Sequence, residues 1–217
     1  MKKEISAEAI ANRLHDGMTI MIGGFMANGA PEGLIDILLD NGIKDIKLIS
    51  TDTGTPTKGS GRLIAANRIK KLTASHIGTN PETGKQMNEG VLEVELVPQG
   101  TLAERIRAGG AGLGGVLTPT GLGTLVAENK EIIMVDEKPF LLEKPIRADI
   151  AFIRGSVVDE RGNVFYKKTT QNFNPLMATA ADLVIVEAEQ VVKVGEIEPE
   201  CVHTPGLFVD YIYQGGR

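Results

Sequence analysis

The sequence predicts an α/β fold in which an open, mostly parallel sheet is flanked by helices. Two observations support this prediction. Short apolar runs of strand length alternate along the chain with segments that have helical periodicity. Two of these runs, residues 150–153 and 183–186, are almost continuously apolar, which is typical of strands covered on both faces of a parallel sheet.

The first half of the chain contains four predicted strands and three predicted helices. Ser6 is a suitable cap for a helix over residues 7–14, whose apolar side chains share one face. The other predicted elements are strands over residues 19–22, 46–49, 69–74 and 92–97, and helices over residues 31–39 and 101–108. In the strand at 92–97 the apolar residues alternate with Glu93 and Glu95, so we expect one exposed face or a position near the sheet edge.

The second half is predicted to add strands over residues 132–135, 150–153 and 183–186. A helix over residues 174–181 is expected between the last two strands, with Asn174 as a plausible cap. The sequence contains no internal repeat and no linker rich in Pro, Gly or Ser. We therefore expect residues 1–217 to form a single domain.

Composition excludes several classes of protein. The net charge is −5 and the basic residues are scattered, which argues against a nucleic-acid partner. The apolar run at residues 20–22 is too short for a signal peptide or a membrane span, and the single cysteine, Cys201, fits a reducing compartment. The three histidines lie far apart, so a metal site is not expected. A cytoplasmic location is the resulting expectation.

The most informative stretch, residues 16–31, combines a turn, a short buried strand, a glycine-rich loop and the start of a helix. Gly23, Gly24 and Gly29 allow a ligand to approach the backbone and leave its N–H groups open. A helix that starts near Pro31 directs its positive dipole end at the loop, which suits a phosphate-bearing ligand. A tight strand-to-helix connection that binds nothing explains the same residues equally well.

This stretch also resembles the signature of the family I CoA-transferases: an Asp-Gly turn, three apolar residues, Gly-Gly-Phe and then Gly-x-Pro. Further segments resemble the first, or alpha, subunit of the acetate, butyrate or acetoacetate CoA-transferases, in the same order along the chain: residues 75–84, 98–102, 105–112 and 172–175. The similarity covers about residues 7–213. It implies the same α/β fold and an alpha subunit that works together with a beta subunit.

The resemblance also implies roles for particular residues. The loop that faces CoA consists of Gly24, Phe25, Met26, Ala27, Asn28, Gly29 and Ala30. Gln99 helps to form the oxyanion hole through its backbone N–H. CoA or acyl-CoA is then a substrate, and no prosthetic group is expected. From position alone, Pro98-Gln99-Gly100 equally fits a simple strand-to-helix turn.

Other candidate residues carry weaker signals. His76 follows a predicted strand, but no acid partner for a general base is identifiable. Arg105 and Arg107 would suit CoA phosphates, although a solvated helix face is the favoured interpretation. Residues 110–115 match G-x-G-x-x-G, yet a predicted helix precedes them, and a dinucleotide site needs a strand there.

In the family that this chain resembles, a glutamate of the beta subunit is the nucleophile and forms a glutamyl-CoA thioester. Glu128-Asn129 is followed here by Lys130 instead of glycine, so Glu128 is not assigned that role. The resemblance implies an alpha2beta2 assembly and the substrates acetate, butyrate or acetoacetate with their CoA esters. The alternatives are an enzyme for 3-oxoadipate or succinyl-CoA, a sugar-phosphate isomerase or binding protein, and a non-catalytic scaffold subunit.

Overall fold

The structure, a computed structural model, describes residues 3–215. The strands in chain order are β1 (Thr19–Ile22), β2 (Ile46–Ile49), β3 (Ile69–Ala74), β4 (Glu93–Leu96), β5 (Val116–Thr118), β6 (Ile132–Val135), β7 (Lys138–Glu143), β8 (Ala148–Gly155), β9 (Val157–Asp159), β10 (Val164–Phe165), β11 (Ala181–Ala188), β12 (Val191–Val192) and β13 (Tyr211–Tyr213). The α-helices are α1 (Ala7–Ala11), α2 (Glu32–Asp40), α3 (Gly61–Ala65), α4 (Pro81–Asn88), α5 (Gln99–Gly110) and α6 (Asn174–Met177).

The main sheet has seven strands in the order β13-β11-β8-β1-β2-β3-β4. Each neighbouring pair in it is parallel. Two three-stranded sheets, β5-β7-β6 and β10-β9-β12, contain the antiparallel pairs. The predicted α/β fold with an open, mostly parallel sheet is therefore confirmed, and the predicted strand at 132–135 belongs to a small antiparallel sheet.

The main sheet is covered on both faces because its strands are apolar on both faces. Ile20 and Ile22 of β1 pack into one core, which also contains Leu34 of α2. Met21 points the other way and packs into a second core with Leu102 of α5. Helices on both faces are what the near-continuous apolar runs in the sequence predict.

Two of the edge strands, β4 and β6, differ in chemistry. β4 is the last strand of the main sheet, as its alternating pattern predicts, and Glu93 and Glu95 lie on it. β6 is an edge of the small sheet β5-β7-β6, and the side chains of Ile132, Met134 and Val135 are exposed. One edge is therefore charged, whereas the other is apolar.

The predicted helices exist, but several bounds were wrong. The first ends at Ala11 and not at residue 14, because Arg13 and Leu14 donate to carbonyls only three residues back. The helix predicted over 101–108 extends over the whole of α5. The helix predicted over 174–181 stops at Met177, because the carbonyl of Ala180 already pairs with β8.

Two helices were not predicted at all. α3 lies in a segment for which no element was predicted, and α4 buries Thr83 and Gln86 instead of an apolar stripe. The Asn80 side chain caps α4 by accepting a hydrogen bond from Glu82. No helix within residues 3–215 is long and apolar enough to cross a membrane.

Candidate active site

The carboxyl ends of β1, β2, β3 and β4 meet at one edge of the main sheet because these strands are parallel neighbours. In open α/β sheets this is the edge at which ligands bind. The glycine-rich loop follows β1, whereas Gln99 follows β4, so three strand spacings, roughly 14 Å, separate them. The predicted site residues therefore share one edge, with the loop at the middle strand of the sheet and Gln99 at its last strand.

The glycine-rich loop folds into a tight two-residue turn. Phe25 N–H donates to the Asn28 carbonyl at 3.0 Å, and Asn28 N–H donates back at 2.8 Å. The two central residues, Met26 and Ala27, have φ angles of 50° and 65°. These are the angles of a type I′ hairpin turn, which side chains other than glycine, asparagine and aspartate adopt at a cost in energy. The turn presents the side chains of Phe25 and Met26, which are 44% and 41% exposed.

The expectation that this loop leaves its N–H groups open was wrong for most of them. Gly24 N–H donates to Asn172 Oδ1 at 3.1 Å, and Met26 N–H donates to Asp52 Oδ2 at 3.0 Å. The first turn of α2 is also occupied, because Leu34 N–H donates to Glu187 Oε2 at 2.9 Å. Protein groups thus take the positions that the sequence suggested for a phosphate. The assignment of residues 24–30 to CoA stays a prediction.

Asn172 and Asn174 fasten the glycine-rich loop to the segment before α6. The Asn172 amide nitrogen donates to the Asn28 carbonyl at 2.9 Å, and that of Asn174 donates to the Gly29 carbonyl at 3.0 Å. Asn174 Oδ1 also accepts from Arg154 N–H. A Cβ on Gly23 would lie 1.8 Å from that oxygen, so the contact requires glycine. The predicted capping role of Asn174 was wrong, because Phe173 is the cap residue.

A buried ion pair lies behind the same loop. Arg154 Nη1 is 3.3 Å from Glu187 Oε1 and donates to the Ala30 carbonyl at 3.3 Å, while its Nε donates to Glu189. Burial raises the pKa of the Glu187 carboxyl above its ordinary value, although the Leu34 amide and the Arg154 charge oppose this effect. Arg154 and Glu187 thus join the end of the loop to β8 and β11.

We expect Glu187→Gln to flatten the dependence of stability on pH. With the folded pKa raised above 4.5, the folded state binds more protons than the unfolded state between pH 4.5 and that raised pKa. The unmodified protein therefore loses stability as the pH rises through this window, and uncharged glutamine removes the loss. Urea unfolding between about pH 4.5 and 8 measures the effect. A variant whose stability falls as steeply as that of the unmodified protein would contradict this account.

Gln99 is the first residue of α5, directly after the cap residue Pro98, and its side chain is exposed. The N–H of a first helical residue has no partner within the helix. The Gln99 side chain is positioned from β3, because Ser75 Oγ lies 3.0 Å from Gln99 Oε1 and donates to the Thr51 carbonyl at 2.7 Å. The role of the Gln99 N–H in an oxyanion hole stays a prediction.

Of the two arginines on α5 that were expected on a solvated face, only one lies there. Arg105 does not lie on a solvated helix face: its side chain is 12% exposed and donates to Glu95 Oε1 at 2.7 Å. Burial is the largest single influence and raises the pKa of the Glu95 carboxyl. The hydrogen bond and charge of Arg105, together with Thr73 and Lys71, more than offset it, so this pKa lies below its ordinary value. Arg107 does lie at the surface, where it pairs with Glu104. His76, at the end of β3, is exposed and forms a backbone bridge with Asp52.

The glycine-rich segment at 110–115 is not a dinucleotide motif. It follows α5 and leads into β5, whereas such a motif lies between a strand and a helix. Glu128 lies in the exposed connection between β5 and β6. Among residues 3–215 no group of three or more His, Cys, Asp or Glu side chains has an arrangement that would hold a metal ion.

Sequence reasoning missed Asp52, Ser75 and Glu187 as parts of this site. Asp52 is buried, and its carboxylate accepts from Gly54 N–H at 2.6 Å as well as from Met26. The available signal was the position of Asp52 and Ser75 just past the ends of β2 and β3. For Glu187 the sequence carries no such signal, because it lies within β11 and contacts α2 only in the folded chain.

Comparison with known proteins gives one consistent family. Residues 3–215 match the family model described as Coenzyme A transferase. The chain is 56% identical over 210 residues to the acetoacetyl-CoA:acetate/butyrate CoA transferase alpha subunit of Clostridium acetobutylicum, which covers 97% of this chain and 96% of that protein. It is 53% identical over 197 residues to the alpha subunit of the acetate CoA-transferase of Escherichia coli K12, with 91% and 90% covered.

A more distant relative is also named as a coenzyme A transferase subunit, and two solved structures share the fold. One subunit of the probable succinyl-CoA:3-ketoacid coenzyme A transferase of Bacillus subtilis is 45% identical over 210 residues, which cover 97% of this chain and 88% of that protein. An acyl-CoA transferase from Escherichia coli O157:H7 superposes with a TM-score of 0.86 at 23% identity, and this chain spans 46% of it. The glutaconate coenzyme A-transferase of Acidaminococcus fermentans superposes with a TM-score of 0.83 at 21% identity, with 97% and 75% covered. At these identities the two structures show the shared fold.

Proposed function

Because this chain belongs to the coenzyme A transferase family, as one of its alpha subunits, we propose that it transfers CoA between short-chain carboxylates together with a beta subunit. Acetate, butyrate and acetoacetate are the proposed acids. The observation that carries this proposal is identity above 50%, over nearly the whole chain, to alpha subunits named for acetate or acetate/butyrate.

In the proposed mechanism, a glutamate from the beta subunit performs the attack on the acyl-CoA carbonyl and releases CoA as a thiolate, which leaves a mixed anhydride. The thiolate then attacks the glutamyl carbonyl, releases the first carboxylate and forms a glutamyl-CoA thioester. A second carboxylate takes the CoA by the reverse steps. Each attack places negative charge on a carbonyl oxygen, and the N–H of Gln99 would stabilise that charge.

The carboxylates near the carboxyl edge support a nucleophile that comes from outside this chain. Asp52 is buried and accepts two backbone hydrogen bonds, and Glu187 is buried against α2 and Arg154. A carboxylate committed to such contacts is a poor nucleophile, because it must break them to reach a substrate. Within this proposal, the exposed turn at Phe25 and Met26 contacts CoA.

A succinyl-CoA:3-oxoacid transferase is the second candidate function. It is favoured by the relatives of that name, which are 45% identical to this chain. That activity requires an enzyme that accepts a dicarboxylate, so comparison of succinate with acetate and butyrate as CoA acceptors separates the two candidates. Membership of the transferase family removes the support for a sugar-phosphate isomerase.

The experiment that tests the proposed function is CoA exchange between acetoacetyl-CoA and acetate. It compares this chain by itself, the isolated beta subunit, and the two co-purified. We expect exchange only in the mixture, with alpha2beta2 stoichiometry and a cytoplasmic location. Exchange by this chain alone would place a nucleophile within it and return Glu128 to consideration. A stable complex without exchange for any acid would favour a scaffold subunit.

A further inference from the structure

A cleft of about 500 Å³ lies between the first turns of α5 and the segment that contains β5. Pro98 and Gly100, the neighbours of Gln99 in the chain, form part of one wall. The opposite wall includes Leu113, Val116, Leu117 and Thr118. The cleft therefore begins immediately beside the backbone N–H that we propose for the oxyanion hole.

The wall formed by β5 and the residues around it is largely apolar, although Thr118 and Thr120 also line it. Leu113 and Leu117 are 46% and 42% exposed, and with Val116 they offer hydrocarbon surface to whatever enters. On the opposite wall, a Cβ built on Gly100 would meet no heavy atom within 4 Å. The cleft thus has hydrocarbon side chains on one wall and unfilled space beside Gly100 on the other. An alkyl chain of a bound ligand would fit into that space and bury the exposed leucines.

The charged groups of the cleft do not favour a second carboxylate on the ligand. Of the residues that line it, only Glu104 and Arg107 are charged. Arg107 Nε donates to Glu104 Oε2 at 2.7 Å, so the cation is already paired with an anion. A second carboxylate would meet Glu104 as well as Arg107, so the cleft offers it no net positive charge, and burial of an anion there is unfavourable.

We infer that this cleft holds the hydrocarbon part of the acyl group and sets acyl specificity, with unbranched monocarboxylates preferred over dicarboxylates. The inference rests on the proposed function, because it takes the N–H of Gln99 as the place where the acyl carbonyl binds. With the carbonyl there, the alkyl chain extends from Gln99 past Gly100 towards Leu117. The side chains of Leu113, Val116 and Leu117 are then specificity-determining residues.

Filling the cleft tests this inference. In the co-purified complex, Leu117→Trp is expected to lower the ratio of kcat/KM for butyrate to that for acetate by about 15-fold, the effect of two methylene groups that lose their buried surface. The matched control is Leu207→Trp, because Leu207 is also an exposed leucine but lies outside the cleft. Gel filtration shows whether each variant still forms the complex.

A second variant covers the case in which Leu117→Trp does not assemble. Gly100→Ala places a methyl group in open space within α5, so the unfolding temperature should be equal or higher while the butyrate to acetate ratio falls. Gly84→Ala is its control, since Gly84 lies within α4 and its Cβ also meets nothing within 4 Å. The Gly84→Ala complex should gain stability, and its ratio of kcat/KM for butyrate to that for acetate should equal that of the unmodified complex.

A charge introduced into the cleft tests the second half of the inference. Leu117→Arg is expected to raise exchange with succinate relative to butyrate about tenfold, because it adds an unpaired cation to the apolar wall. An unchanged substrate ratio in all three cleft variants, or equal losses for acetate and butyrate, would overturn the inference while the proposed function stands. Absence of exchange in the unmodified complex would overturn both.

Discussion

Replacement of Gln99 by proline is expected to lower the kcat of the assembled enzyme about 10²–10³-fold while the fold stays intact. Proline lacks the backbone N–H that we propose as an oxyanion donor, and the loss of one such donor has an effect of this size. The first position of a helix tolerates proline well. Pro98, with φ −50° and ψ 137°, already has the extended backbone that a following proline requires.

Gln99→Ala is the control for this experiment, because it removes the side chain and retains the N–H. We expect it to reduce kcat less than about fivefold, the effect of a lost surface contact with Ser75. Measurements of kcat, of KM for acetoacetyl-CoA and of the unfolding temperature separate chemistry, binding and folding. Equal losses in the two variants would show that the side chain acts, and the backbone role would then be wrong.

Asn174→Ala is expected to lower the free energy of unfolding by about 3 kcal/mol, because it leaves several buried polar groups without partners. The carbonyls of Gly29 and Thr170 lose a donor, and the N–H of Arg154 loses an acceptor. The glycine-rich loop then loses its anchor at Gly29 and is held through Asn172 and Asp52, so kcat/KM for acyl-CoA should fall tenfold or more. Urea unfolding and initial-rate kinetics of the complex measure the two effects.

Gly23→Ala makes the matched comparison, because its added Cβ would displace the Asn174 side chain. Each substitution removes the hydrogen bond between Asn174 Oδ1 and the Arg154 N–H. The loss of unfolding free energy in the double variant should therefore be much smaller than the sum of the losses in the two single variants. Asn172→Ala, at a half-buried position, should cost less stability but loosen the same turn. Strict additivity of Gly23→Ala and Asn174→Ala would contradict the proposed connection between the two residues.

Much of the fold was predictable because apolar runs of strand length are local signals. The runs at 19–22, 46–49 and 69–74 correspond to strands with those bounds, and the charges of β4 indicated its edge position. α4 was missed because it buries Thr83 and Gln86, and a helix without an apolar stripe has no detectable period. β7 was missed because Pro139 lies within it and charged residues at both ends leave an apolar run of only three residues.

The arrangement of the site was less predictable, because it depends on contacts between segments far apart in the chain. The position of Gln99 between β4 and the body of a helix was predictable, because the apolar alternation stops before Pro98. The partners of the glycine-rich loop and of α2 were not predictable, because Asn172 lies 148 residues from Gly24 and Glu187 lies 153 residues from Leu34. Arg105 was misplaced for the same reason, as Glu143 of β7 lies beside it only in the folded chain.

The exposed apolar edge at β6 has a consequence for the chain before it meets any partner. Four consecutive apolar residues, Ile132, Ile133, Met134 and Val135, form an edge strand that carries no charge within its own bounds. Copies of the isolated chain should therefore self-associate through β6 and scatter light at high concentration. Met134→Lys should reduce that scattering, and if it does not, another surface is responsible. Synthesis of this chain alone is thus expected to give lower yields of dispersed protein than synthesis alongside its beta subunit.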